Sequence, residues 1–324
     1  MIIEIKKTSQ IEKSEWKEIV KGFNESFAPH ITSIKKLVSA AEMTHIGYSF
    51  HAICYVDSKI VGFNSILPHI YNYNQKEILI GLSGSTFILQ EYRQNINLLN
   101  NMLTKLKNRC KQEGMYAVVA VPNSNSYLYF KRFARFSDVG KLSYYVLPVK
   151  LNKFHKIFNN LVLKSTYNFI LKMHITTNLL FSKIFRKNVM LKKISIEKSN
   201  EFLYKRFPQT SYKRYVISKE KGIIYRITSE NKIDVCYLIG FYGKISWYNV
   251  ISCIKSLVRS EKMDLIIFIG NFNQFQSVFF RLPRKLEPRQ LPLIVFSLVS
   301  NNIFDNVIKQ LDNWDFSLAN LDIR

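Results

Sequence analysis

Acidic residues are scarce in this chain. Only 23 Asp and Glu stand against 47 Lys and Arg in 324 residues, a formal net charge of +24. A field of that sign attracts polyanions, whether nucleic acid, anionic lipid or phosphorylated small molecules. Cysteine is scarce too: Cys54, Cys110, Cys236 and Cys253 form no C-x-x-C pair and no Cys/His cluster. That argues against a zinc site or a disulfide framework, so no metal is expected and the four are read as reduced core thiols. No apolar run approaches the ~18 residues of a transmembrane helix, and the N-terminus lacks the basic-then-apolar layout of a signal peptide. The expected location is cytoplasmic, with a peripheral place at the inner face of the membrane as the extension of that reading. No G-x-G-x-x-G or Walker pattern occurs, which sets aside the classical nucleotide-binding folds.

What is present is apolar. Hydrophobic residues make up 47% and aromatics 14%, enough for packed cores, and the length suits two domains at roughly 100–200 residues each. Residues 2–5 read as a strand and 14–27 as a helix with Trp16, Ile19, Val20, Phe23 and Phe27 at helical spacing. Residues 50–56 and 59–67 read as strands joined at Asp57-Ser58, and 77–89 as a long strand. Residues 97–113 are helical, with Leu98, Met102, Leu106 and Cys110 on one face and Gly114 as the stop. A buried strand at 116–121, a helix at 126–133 and a closing strand at 142–149 follow. This order predicts a mixed α+β layer rather than a doubly wound sheet.

The chain also repeats itself. Glu113-Gly114-Met115 with its apolar run to Pro122-Asn123 matches Glu261-Lys262-Met263 with its run to Gly270-Asn271, without a gap. At the same offset Leu103, Leu106 and Lys107 face Ile251, Ile254 and Lys255, and Asn125 and Tyr127 face Asn273 and Phe275. Leu147-Pro148 recurs as Leu291-Pro292. One such repeat implies two related domains, not a solenoid.

Ser83-Gly84-Ser85-Thr86-Phe87-Ile88-Leu89 followed by Gln90-Glu91-Tyr92-Arg93-Gln94-Asn95-Ile96-Asn97 resembles the strand and phosphate-binding turn of GNAT acyltransferases. Pro122-Asn123-Ser124-Asn125-Ser126-Tyr127 resembles their Pro-Asn-x-x-Ser-Tyr turn. Phe202-Leu203-Tyr204-Lys205-Arg206-Phe207-Pro208 and Trp314 through Asp322 resemble two stretches of the tandem GNAT-like proteins found with bacterial surface-polysaccharide genes. The resemblance implies two tandem GNAT-like domains, 1–150 and 194–324, joined by a basic helical linker, 151–193. It implies acyl-CoA, acetyl-CoA foremost, as co-substrate. It also implies transfer of an acyl group to an amino group of a sugar or cell-envelope precursor, with an amino-sugar or lipid-linked acceptor.

Acyl transfer from a thioester to an amine needs a base, a hydrogen-bond donor for the oxyanion and an acid for the thiolate. Phe87, Ile88 and Leu89 are the candidate backbone donors; Tyr127 and Tyr129 are candidate acids; His69 and Glu91 are candidate bases. Arg93, Gln94, Asn95, Asn123 and Ser126 are the candidate CoA contacts, Asn123 serving equally as a helix N-cap. The family's Arg-x-x-Gly-x-Gly is here Arg93 with Ile96 and Leu98 in place of the glycines, so weak CoA binding is expected. Ser85, Phe130, Ala134, Ala319 and Asn320 are further departures from the family pattern. Two rival readings stand beside the enzyme: a non-catalytic GNAT-fold binding protein, and a Fem-type aminoacyl transferase that takes charged tRNA. Other nucleic-acid binding is disfavoured because no recognised module occurs.

Residues 139–196 contain eleven Lys and Arg and no acid. Their middle, 151–187, interleaves Phe and Leu with Lys and reads as a helical hairpin broken near Thr176-Thr177-Asn178. It is either an interdomain brace or an element for an anionic membrane surface.

Overall fold

Alternating strands and two-residue turns build the first part of the chain. In the computed structural model, which describes residues 1–28, 31–185, 193–271 and 278–321, β1 (Ile2–Lys7) leads to α1 (Lys13–Ser26) and α2 (Ile34–Glu42). β2 (Phe50–Val56), β3 (Lys59–Tyr73) and β4 (Lys76–Ile88) follow as two hairpins. Their turns, Asp57–Ser58 and Asn74–Gln75, hold both residues at positive φ, 46° and 64° in one and 49° and 67° in the other. That is the primed-turn geometry whose twist matches paired strands. α3 (Ile96–Gln112), β5 (Met115–Ala120), α4 (Ser124–Arg132) and β6 (Ser137–Lys141) come next. Gly114, at φ 77°, ends α3 as its position predicted.

The remaining elements are β7 (Ser143–Pro148), α5 (Leu161–Phe185), β8 (Ile194–Ile196), α6 (Asn200–Arg206), β9 (Lys213–Ser218), β10 (Lys221–Glu230) and β11 (Ile233–Tyr242). After them come α7 (Trp247–Ser260), β12 (Leu265–Gly270), β13 (Phe280–Arg281), β14 (Pro292–Ser297), α8 (Asn302–Ile308) and β15 (Trp314–Asp315). The side chains of Ile96, Phe158 and Phe185, together with Arg186, Lys187, Asn273, Phe275 and Asp322, lie outside the described residues.

Two compact units result. The first comprises Met1–Lys141, Lys193–Glu197 and Leu291–Trp314; the second comprises Leu142–Lys192, Lys198–Gln290 and Asp315–Arg324. The three segments expected from sequence are contiguous, whereas these units are not. The first unit's sheet runs β1-β2-β3-β4-β5-β14-β6, and only β4 and β5 are parallel. The second unit's sheet runs β9-β10-β11-β12-β7-β13, and only β11 and β12 are parallel. So β5 and β12, the two halves of the sequence repeat, hold the same place in two separate sheets.

Four expectations need correction. The strand at 142–149, expected to close the first domain, pairs with β12 in the second unit, and β14 takes the corresponding place beside β5. The Leu-Pro dipeptides are not equivalent: Leu147-Pro148 ends β7, whereas Leu291-Pro292 leads into β14. α5 is one continuous helix through Thr176, Thr177 and Asn178. The weak helix propensity of those residues is overridden by packing of Leu171, Ile175 and Leu179 on the second core. Finally, β3 extends past Leu67 to Tyr73, and α2, capped by Ser33, has no counterpart among the expected elements.

Each unit has its own core. In the first, Trp16, Ile19 and Phe23 of α1 and Leu98, Met102, Leu106 and Cys110 of α3 pack with Phe50, Ile53, Phe63 and Phe87 of the sheet. In the second, Val250, Ile251, Ile254 and Leu257 of α7 pack with Cys236, Leu238 and Ile266. All four cysteines are free and buried.

Candidate active site

One residue too many in β4 shapes the first unit's candidate site. Phe63 pairs with Phe87 but Ser65 pairs with Gly84, so Asn64 of β3 opposes both Ser85 and Thr86. Ser85 absorbs the excess at φ 50°, a left-handed conformation unusual for a serine in a strand. β5 follows β4 only as far as Ser83, opposite Ala120, although β4 continues to Ile88. A notch therefore opens between the second half of β4 and the end of β5.

The backbone at this notch is directed by the neighbouring strand. The Leu89 N–H donates to the Val61 carbonyl, 2.9 Å away on β3. Peptide groups alternate along a strand, so those of Ile88 turn away from β3 toward the notch. Arg93 Nε donates to the Ile88 carbonyl at 2.9 Å, which folds the turn at Gln90–Tyr92 back against the strand end. α3 and α4 both start just beyond the ends of the two parallel strands, so two helix N-termini, with their outward amides, lie at the same end of the sheet.

The expected site residues fall into different places. Phe87 and Leu89 are buried by their side chains, Phe87 against Phe23 and Phe63, so only their backbone is available to a ligand. Arg93, Gln94 and Asn95 are exposed ahead of α3. Asn123 caps α4, its Oδ1 accepting from the Ser126 N–H and hydroxyl, both at 2.9 Å. Tyr127 donates to Asp138 Oδ1 of β6 at 2.6 Å, and that hydrogen bond foremost raises its pKa. β6 lies three strands from β4, roughly 14 Å across the sheet, so the Tyr127 hydroxyl is held away from the notch. Tyr129 faces α3 instead, next to the Asn100 backbone; burial pushes its pKa up to about 12.

The two candidate bases are far apart. His69 is fully buried on β3 opposite Ile80, with its Nδ1 3.3 Å from Nδ1 of His45. It stands four residues along the strand from Ser65, about 13 Å. Glu91 is exposed at the other end, 3.4 Å from Lys59; its own backbone N–H, and then Lys59, hold its carboxyl below the usual range.

Leu98, where the family has glycine, sends its side chain into the core with no exposure. It joins Met102, Leu106 and Cys110 on the apolar face that helical spacing predicted. Two residues that sequence reasoning missed sit at the bulge. Asn64, fully buried, donates from Nδ2 to the Thr86 hydroxyl, and its Oδ1 has no hydrogen-bond partner among the described residues. A buried acceptor in that state suits a water or a ligand N–H. Nothing in the sequence marks Asn64, because the bulge that brings it to Thr86 is a property of strand pairing.

The second unit has the same notch in outline and a different content. Ile224 pairs with Gly240 and Tyr225 with Leu238, which leaves Ile239 as an extra residue in β11, and β12 follows β11 only to the Leu238–Phe268 pair. Here the tail of the chain fills the space. The Asn271 N–H donates to the Phe316 carbonyl at 2.9 Å, Gly270 bridges Ser317, and Ser317 to Asn320 are buried. Ala319 approaches so closely that a Cβ on Gly240 would lie 2.8 Å from its Cβ. Among the described residues no group of three His, Cys, Asp or Glu could hold a metal ion.

A sheet with one parallel pair that splays after a bulge, with a helix starting beyond the bulged strand, is the GNAT class of fold, and the chain contains two such units. Several solved structures share it. A conserved protein of unknown function from Enterococcus faecalis V583, described as a probable N-acyltransferase, is 12% identical with a TM-score of 0.58, covering 92% of this chain and 73% of that one. A GCN5-related N-acetyltransferase from Anabaena variabilis ATCC 29413 is 11% identical with a TM-score of 0.58, covering 91% and 73%. One from Kribbella flavida is 9% identical with a TM-score of 0.58, covering 92% and 72%. At these identities the likeness is one of fold. No protein-family model and no curated protein matches the sequence.

Proposed function

We propose that this chain is an N-acyltransferase that moves an acyl group from acyl-CoA, acetyl-CoA foremost, to an amino group of a sugar or cell-envelope precursor. The first unit's notch is the site. The observation that carries this reading is the bulged β4 parting from β5 with two helix N-termini at the open end. The pantetheine arm lies along β4, and the pyrophosphate meets the α3 start beside Arg93, Gln94 and Asn95. The acceptor nitrogen attacks the thioester carbonyl, and the oxyanion receives the N–H of Ile88. The carbon–sulfur bond then breaks, the amine proton passes to water, and the departing thiolate takes a proton from Tyr129. Products are the amide and free CoA.

The equivalent positions of β5 and β12 support a tandem pair of GNAT-like domains of the kind found with surface-polysaccharide genes. The acceptor class follows from that resemblance. The second unit takes no acyl-CoA in this reading, because Phe316 to Asn320 occupy its notch.

Calorimetric titration of the purified protein with acetyl-CoA tests the proposal. Saturable binding of one molecule per chain is expected, with hydrogen-exchange protection at 84–98 and 120–127. Ile96→Gly should tighten it by restoring a family glycine. Absence of both heat and thermal shift at high acetyl-CoA would leave the non-catalytic reading in its place.

A further inference from the structure

α5 turns one face to the second unit and another to solvent. Tyr167, Leu171, Ile175 and Leu179 belong to or pack on the core, and the Tyr167 hydroxyl donates to the Pro148 carbonyl at 2.6 Å. Phe169, Ile170, Met173, Leu180 and Ile184 lie on the opposite side, each between 54% and 72% exposed. Five large apolar side chains in one solvent-facing stripe form a patch that needs a partner. Lys172 and Lys183 border the stripe, both exposed.

Lys172 and Lys183 have no carboxylate partner among the described residues. The sequence from 139 to 196 supplies no acid to compensate them.

We propose that α5 is a membrane-docking helix that lies flat on an anionic bilayer, with its apolar stripe in the headgroup layer and the bordering Lys172 and Lys183 against lipid phosphates. The charge pattern selects this occupant. A second copy of the chain would set the same uncompensated lysines against each other across a symmetric contact. Anionic lipid supplies phosphate to the lysines and a greasy layer to the stripe at once. No described helix is long and apolar enough to cross a membrane, so the helix lies in the surface plane. The inference stands apart from acyl transfer and holds for a catalytically inactive chain as well.

Co-sedimentation with vesicles of phosphatidylcholine alone, or with added phosphatidylglycerol, tests it on the full chain. Binding is expected only with the anionic lipid and should fall as salt rises. Phe169→Ser with Ile184→Ser, and separately Lys172→Gln with Lys183→Gln, should each weaken it by about tenfold or more. The melting temperature and acetyl-CoA titration of both variants should match the parent, which separates loss of docking from loss of the enzyme site. The proposal is overturned if the parent ignores anionic vesicles at low salt, or if neither pair alters binding. It is overturned equally if the protein is a dimer that the apolar pair converts to monomer.

Discussion

His51 shows what burial does to a titratable side chain that the proposed chemistry does not use. Its Nδ1 is 2.8 Å from the Ser65 hydroxyl and its Nε2 is 3.0 Å from the Thr8 hydroxyl, which itself donates to the Ser49 carbonyl. That chain assigns a neutral ring: Nε2–H donates to Thr8, and Nδ1 accepts from Ser65. Burial lowers its pKa from 6.5 to about 3. Between those values the unfolded chain binds a proton that the native state refuses, so stability falls as pH drops through the window, by an amount on the order of 5 kcal/mol. Urea unfolding at stepped pH should show this loss, and His51→Gln should flatten it; an unchanged slope in the variant would assign the acid sensitivity elsewhere. The two tyrosines separate at the same scale. Tyr129→Phe should lower kcat by about a hundredfold with little change in KM for acetyl-CoA, while Tyr127→Phe should be nearly neutral. The reverse ranking would return the acid role to Tyr127 despite its bond to Asp138.

Among the elements, two strands with the same defect have different fates. β4 and β11 each carry an extra residue just past their last pair with the parallel neighbour. In the first unit the resulting gap is framed by backbone, and in the second it is filled by Phe316 to Asn320. Gly240 permits that filling because nothing projects from its Cα toward Ala319. Gly240→Val should destabilise the protein by about 1–3 kcal/mol and make the C-terminal segment more sensitive to protease. An unchanged melting curve and digestion pattern would mean that the tail is not seated against β11. α5 illustrates a second point at this scale. A run of Thr and Asn suggests a break, but one buried stripe of Tyr167, Leu171, Ile175 and Leu179 suffices to keep 25 residues helical.

At the scale of the whole molecule, each sheet is completed by a strand from the other half of the sequence. β14 sits between β5 and β6, and β6 has no other strand partner among the described residues. A fragment of residues 1–150 should therefore fail to fold cooperatively, exposing the β5 edge, and heteronuclear spectra of that fragment should lack dispersion. A well-dispersed spectrum would show that β14 is dispensable. The sequence by itself determined a good deal. Periodicity placed α3, β5 and α4, turn chemistry placed the Asp57–Ser58 hairpin, and the ungapped match of 113–123 with 261–271 marked β5 and β12 as counterparts. These are local properties: side-chain spacing and φ preference act within a few residues. Only tertiary structure decided that β7 and β14 complete the opposite sheets, that β4 bulges at Ser85 and that the tail closes the second notch. Strand partners and bulges are chosen by which edges and cores remain to be filled once distant segments meet, and no window of adjacent residues carries that information.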